Sequence, residues 1–304
     1  FSSTNYFTVN KPNVVIEGSG WDTILIPTLT VPSAVSPIDG GPRRIGLLNV
    51  TINNDNFQLK NLQIKMDARP SGQDILAIES ANMLVENVWF NQVSASTGVL
   101  DSCHYVSAQT ESTFNGDTAT DALTSSLLLG GKVINCKFTT GRGAIPFQIR
   151  KRRGTLIQHN IITSNTIGTN TGIRAVMAHS RSSGTVFTNN VMEWLGVDAT
   201  NPTTGLTELG FVSIVREKTE SAYANSDDTD LVFANNVLRN CVFKGNVPAF
   251  QITGCVNYKV ADNVFDRCTM VASADGVFSL FSIDEDSSGT PIISDNVVIS
   301  NNVF

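Results

Sequence analysis

VFANNVLR at residues 232–239 and KVADNVFD at 259–266 are one phrase written twice, 27 residues apart. In each, apolar residues alternate with polar ones, Asn follows, and another apolar residue comes next. The phrase returns as FQLKNLQI (57–64), MLVENVWF (83–90), KVINCKF (132–138), LIQHNIIT (156–163), VFTNNVME (186–193) and VISNNVF (298–304). Aligning the phrases puts Asn61, Asn87, Asn135, Asn160, Asn190, Asn236, Asn263 and Asn302 at one equivalent position. The shortest intervals are 26, 25 and 27 residues, and the 46 residues from Asn190 to Asn236 leave room for an inserted loop or an extra coil. A period of roughly 20–50 residues marks a solenoid. Period-two alternation makes the repeated element a strand and not a helix.

A second strand precedes each phrase: ILAIES (75–80), PFQIRK (146–151), AVMAHS (175–180), FVSIVR (211–216), AFQITG (249–254) and FSLFSID (278–284). Each coil therefore has at least two strands, a tight turn and a variable loop. Neighbouring coils bury one another's apolar faces, which gives a polar chain a core. Asn suits the repeated corner because it tolerates left-handed backbone. Stacked Asn side chains can also bond from coil to coil at the strand spacing of about 4.8 Å. The Asn ladder is read as structural. The pattern predicts an all-β chain, a right-handed single-stranded parallel β-helix forming one domain over residues 1–304, with long lateral loops at about 94–130, 196–209 and 218–230.

Composition agrees. Charged residues make up 16% of the chain, against roughly 25% in an average globular protein, and turn and strand formers fill the gap. The net charge of −6 and pI near 5.1 argue against nucleic acid as a partner. No apolar run approaches the roughly 20 residues of a membrane span. The opening FSSTNYFTVN lacks the basic-then-apolar order of a signal peptide. With no initial Met and a final Phe304 in a strand-like run, the chain reads as a segment of a longer polypeptide. The Cys residues (103, 136, 241, 255 and 268) are too irregular for a disulfide framework and read as small buried thiols. Cys241 and Cys268 each lie five places after a ladder Asn. That puts them on adjacent coils at a separation a disulfide needs, and spacing leaves their bonding open. No CxxC pair or zinc-type His/Cys cluster points to a metal or other cofactor.

VVIEGSGWDTILIP (14–27) carries the resemblance. With its Ile-x-Gly-x-Gly turn followed by Thr and an apolar strand, it resembles the opening coil of pectate-lyase-like β-helix proteins. Together with the Asn phrases the likeness covers most of residues 13–304. Within that superfamily the Ser/Thr/Asn-rich, Lys-poor texture is most similar to bacteriophage tailspikes. That resemblance implies a homotrimer at a virion tail or otherwise extracellular, which binds and cuts a surface polysaccharide. The catalytic blocks of β-helix polygalacturonases are missing apart from an echo in Asp227-Asp228, which argues against pectin hydrolysis of that type.

Strand parity nominates an exposed stripe. If Phe147 and Ile149 point inward, Gln148 and Arg150 point outward. The same logic places Glu79, His179, Arg216, Thr253 and Asp284 outside, near the ends of their strands. Arg150, Arg174, Arg216 and Asp284 become candidate substrate-binding residues, since Arg forks hold sugar carboxylates. His179 is a candidate proton carrier, whereas His159, beside a ladder Asn, reads as a corner residue. A glycosidase needs two carboxyl groups, which Glu193, Glu208 and Glu217 can supply. A lyase needs a base and positive charge, which Arg150, His179 and Arg216 can supply. Trp194, next to Glu193, is a candidate sugar platform or a wedge between coils or subunits. The basic run RKRRG (150–154) reads as a solvated turn or as a contact for an acidic polysaccharide or a partner subunit. A non-catalytic carbohydrate-binding adhesin or virion fibre segment is the alternative to a depolymerase.

Overall fold

The computed structural model describes residues 7–26, 48–50, 54–66, 75–78, 80–92, 103–108, 128–140, 144–150, 152–164, 176–180, 182–195, 212–213, 230–244, 249–253, 255–271, 280–284 and 295–304. The apolar phrases form short strands that pair parallel, from Phe7–Val9 on Leu48–Val50 to Lys259–Ala261 on Val298–Ser300. A nine-stranded sheet takes its strands in chain order: Phe7–Val9, Leu48–Val50, Leu76–Ile78, Cys103–Ala108, Ala144–Arg150, Met177–Ser180, Val212–Ser213, Phe250–Thr253 and Phe281–Asp284. One rung per coil in chain order defines a right-handed parallel β-helix.

The second sheet, of fifteen strands, forks. Gln58–Met66 and Met83–Gln92 run unbroken through the Asn corner and pair along both halves. Beyond them one row continues before the corner, through Leu128–Ile134, Arg152–Gln158, Val186–Thr188, Val232–Ala234 and Lys259–Ala261. The other continues after it, through Lys137–Thr140, Ile161–Ser164, Val191–Glu193, Val237–Arg239 and Val264–Asp266.

One of the expected loops is corrected. The stretch 94–130, expected as a lateral loop, carries the strand Cys103–Ala108 and the start of Leu128–Ile134. Tyr105 there is buried, donates to Gln92 Oε1 at 2.8 Å and stacks on Phe90. The other two expected loops fall outside the described residues, apart from Asp230 at the end of 218–230.

The Asn ladder is two columns offset by one residue. The left-handed corner is filled by Asn61, Asn87, Asn135, His159, Asn189, Asn235, Asp262 and Asn301, with φ between 53° and 58°. The next residue points inward: Leu62, Val88 and Cys136 in the early coils, then Asn160, Asn190, Asn236, Asn263 and Asn302. Each Asn Oδ1 in that inner column accepts from the backbone N–H one coil earlier: Cys136 to Asn160 2.9 Å, Asn160 to Asn190 2.9 Å, Asn190 to Asn236 2.9 Å and Asn236 to Asn263 3.0 Å. Each Nδ2 donates to an earlier carbonyl, as Asn236 does to Phe187 O at 3.2 Å. The buried corner backbone is thereby satisfied, as a water-free interior requires.

The core is laid down in columns. Leu59, Val85, Val133, Ile157, Phe187, Phe233 and Val260 share one, each fully or almost fully buried. Aromatic rings bridge coils, with Phe90–Phe138 and Phe187–Phe233 stacked at 4.9 Å. A truncation here removes ring contacts in both directions, so Phe233→Ala belongs with the core deletions that cost about 3–5 kcal/mol.

The two Asn columns predict opposite responses. Asn236→Leu strands Asn190 N–H and Phe187 C=O inside the core and is expected to cost about 3 kcal/mol in urea unfolding. Asn135→Gly, at an exposed left-handed corner, is expected to stay within about 0.5 kcal/mol of the parent, and Asn135→Val to lose roughly 1–2 kcal/mol. Equal losses in Asn236→Leu and Asn135→Gly would refute the division of roles.

Candidate functional site

Three residues beyond each inner-column position, the chain has crossed its second strand and faces outward. The register stacks Thr139, Thr163, Glu193, Arg239 and Asp266 in one column. Arg239 Nη1 donates to Glu193 Oε1 at 2.7 Å and its Nε to Asp266 Oδ2 at 3.1 Å, with all three side chains 30–40% exposed. Arg267 grips Asp266 through both carboxylate oxygens at 3.2 Å. Arg267 first, then Arg239, hold the Asp266 carboxyl below the usual carboxylate range, and Arg239 is raised by Asp266 and Glu193. Exposed ion pairs of this kind add little stability, so the ladder sets charge and position on a surface.

Trp194 follows Glu193 at the next corner. It holds left-handed backbone, φ 57°, with Asn240 and Arg267 in the equivalent place on the next two coils, φ 53° each. Its residue is 54% exposed. A bulky aromatic in this conformation is a genuine outlier. At the other end of the same outer face Trp89 donates to Thr139 Oγ1 at 2.9 Å, with Lys137 Nζ 4.4 Å above its ring and Trp21 5.6 Å away.

The remaining nominated residues fare differently. His179 faces inward, contrary to the expected outer stripe. It pairs in register with Ile149, not with Arg150, and is 1% exposed. Its Nε2 lies 2.9 Å from the buried Thr185 Oγ1. Burial pushes its pKa down to about 3, so the ring is uncharged at neutral pH, and it has no access to a surface ligand. The parity argument failed because it assumed one register for all six strands. Arg150 ends the strand Ala144–Arg150 opposite Ser180, and Asp284 is the register partner of Thr253. Glu79, Arg174, Glu208, Arg216 and Glu217 lie outside the described residues. His159 is the corner residue expected of it, exposed at φ 57°.

The basic run is only partly solvated. Arg153 is exposed and Gly154 takes left-handed backbone at φ 74°. Arg152, however, is wholly buried and donates from Nη2 to Ile78 O at 2.7 Å. Burial lowers its pKa to about 10, partly offset by Asp55, so it stays charged at neutral pH. Sequence reasoning missed Arg152, Arg239, Asp266 and Arg267. For three of these a signal existed, since Glu193, Arg239 and Asp266 each lie three places after a ladder Asn and Arg267 follows directly. For Arg152 there was none.

No protein-family model matches the chain, and no curated protein sequence matches it. Among solved structures it is similar to the A-module of the mannuronan C-5 epimerase AlgE6 of Azotobacter vinelandii, with a TM-score of 0.52 and 12% identity over 96% of this chain and 71% of that one. At that identity the likeness is one of fold, and it matches the parallel β-helix assembled above.

His179 gives a pH test. It is neutral in the folded chain down to about pH 3 and titrates near 6.5 once unfolded. The unfolded state therefore binds the additional proton between those values. Its contribution is complete above 6.5 and is lost as pH falls towards 3, at up to about 1.4 kcal/mol per pH unit. In His179→Gln, urea midpoints between about pH 6.5 and 5 are expected to fall less steeply than in the parent. An unchanged slope would mean that His179 does not carry the effect.

Proposed function

We propose that this protein binds an extended cell-surface or extracellular polysaccharide lengthwise across its coils and depolymerises it, as part of a tailspike-like homotrimer at a virion tail. The observation that carries the reading is Trp194, 54% exposed in left-handed backbone beside the Glu193–Arg239–Asp266 ladder. An aromatic face beside ordered charged groups suits a sugar ring and its hydroxyls. The coils repeat at about 4.8 Å, close to the length of a sugar unit, so one column can meet successive residues of a glycan in step. The similar solved structure is by its title a mannuronan C-5 epimerase, which supports a polysaccharide as the ligand class. The trimer and virion setting rest on the Ser/Thr/Asn-rich texture of the chain.

For hydrolysis, one carboxyl group must hold a proton and another must be ionised. Asp266, held below the usual range by Arg267 and Arg239, suits the ionised role. The proton donor then falls to Glu208 or Glu217, with Glu193 positioned by Arg239. In an elimination, Arg150 and Arg216 would stabilise the uronate anion. One observation favours a second reading, binding without cleavage: Arg239 ties both Glu193 and Asp266 into ion pairs.

Incubation with acidic and neutral bacterial polysaccharides, following chain length and near-ultraviolet absorbance, separates the readings. Shortening without absorbance identifies a hydrolase, shortening with it a lyase, and binding without shortening an adhesin. Trp194→Ala is expected to weaken binding roughly tenfold, equivalent to about 1.4 kcal/mol, with the melting temperature unchanged. No binding to any glycan by the parent, or unaltered affinity in Trp194→Ala, would remove this site from the proposal.

A further inference from the structure

We propose that Cys241 and Cys268 form an oxidisable pair that closes into a disulfide between adjacent coils. The strands Val242–Lys244 and Thr269–Val271 pair parallel with Val242 opposite Thr269, so the cysteines that precede them are neighbours on successive coils. Thr269 N–H donates to Cys241 O at 2.8 Å, which fixes that register. Both cysteines leave the same corner, after the left-handed residues Asn240 and Arg267. Neighbouring strands lie about 4.8 Å apart, inside the roughly 4.4–6.8 Å Cα window for a disulfide.

Both side chains lean back towards the preceding coil, which for Cys268 is the coil of Cys241. Cys241 Sγ donates to Met192 O at 3.5 Å and to Arg239 O at 3.3 Å, while Cys268 Sγ donates to Leu238 O at 3.4 Å. Cys268 Sγ thus leans back towards the coil that carries Cys241. Both are free thiols, Cys241 buried and Cys268 partly exposed. Cys136 offers the contrast. Its column neighbours are Val88 and Asn160, no thiol adjoins it there, and burial pushes its pKa up to about 12.

The pair divides the chemistry between an attacking and a resolving thiol. The neighbouring Cys241 draws the Cys268 thiol below its ordinary range, whereas burial drives Cys241 up. The partly exposed Cys268 thiolate is therefore the nucleophile. With a peroxide as oxidant, it attacks one oxygen, the O–O bond breaks, and sulfenic acid and hydroxide form, the hydroxide taking up as water the proton that Cys268 released on ionising. Cys241 sulfur then attacks Cys268 sulfur, the S–O bond breaks, and the departing hydroxide takes the Cys241 proton as water. The sum is two thiols and one hydrogen peroxide giving one disulfide and two waters. The bond staples the two coils that bear Arg239 and Asp266, each two residues before its cysteine.

The test uses the whole chain, hydrogen peroxide and peptide mapping under non-reducing conditions, and it needs no glycan. The expected product joins the Cys241 and Cys268 peptides with loss of two hydrogens, reverts with dithiothreitol, and melts about 5 °C higher. In Cys241→Ser, Cys268 is expected to stop at a sulfenic acid that dimedone traps, and in Cys268→Ser neither product forms. Circular dichroism confirms that the variants are folded, and the peptide map of the unaltered chain decides the matter if one is not. Oxidation of Cys268 to sulfinic acid without a cross-link in the unaltered chain, or a cross-link to a different cysteine, overturns the proposal.

Discussion

A buried amide that completes the backbone of the preceding coil holds this molecule in register. Asn190 Oδ1 accepts from Asn160 N–H and its Nδ2 donates to Ile157 O at 3.0 Å, and Asn236 and Asn263 repeat the arrangement on later coils. A strand slipped by one residue would turn every such amide, and every core side chain, to the wrong face. The early coils lack the amides and hold register differently. There Leu62 and Val88 occupy the inner column and the strands Gln58–Met66 and Met83–Gln92 run straight through the corner, pairing over most of their length. The same solenoid therefore has two ways of making its corner, and Cys136, accepted by Asn160 Oδ1 at 2.9 Å, sits where one passes into the other.

The repeat was legible because its physical cause, alternation followed by a corner, leaves a direct trace in residue types. The column assignment was not, because Asn performs two tasks at consecutive positions. In VFTNNVME and VFANNVLR both Asn residues are present, and the letters alone do not say which takes the left-handed backbone. LIQHNIIT and KVADNVFD hold the answer, since there His159 and Asp262 take the corner and the Asn that follows is buried. Had the corner been aligned on those two phrases, Asn61, Asn87 and Asn135 would have moved one place. The outer ladder of Glu193, Arg239 and Asp266 was open to the same reasoning, since all three share one offset from a buried Asn. His179 and Arg152 were not. Whether a residue near a strand end faces in or out depends on where the chain turns between sheets, and that turn has no repeat.

That turn also explains why polar groups enter the interior. Between Ala144–Arg150 and Arg152–Gln158 the chain leaves one sheet for the other within a residue or two, and ladder bonding cannot satisfy all of the backbone there. Side chains supply what the ladder lacks. Ser182 Oγ accepts from Arg152 N–H at 3.1 Å, Arg152 Nη2 reaches Ile78 O, and His179 meets Thr185. The cost falls on the ionisable groups. Histidine adapts by staying neutral, whereas arginine keeps its charge and needs Asp55 nearby.

A solenoid built this way separates what stabilises it from what it presents. The inner Asn column and the Phe columns are closed to change, because each side chain there completes bonds or packing on two other coils. Three residues further on, the chain has crossed to the outer face, where Thr139, Thr163, Glu193, Arg239 and Asp266 stand in line. Exposed charges at that position contribute little to folding, yet their spacing and order are set by the buried register. A surface column can therefore be rewritten from Thr to Glu to Arg to Asp with the backbone beneath it unchanged. Trp194 marks where the separation is incomplete. It occupies a left-handed corner that Asn240 fills at less steric cost one coil later, so an aromatic ring is kept at the surface there against the local backbone preference.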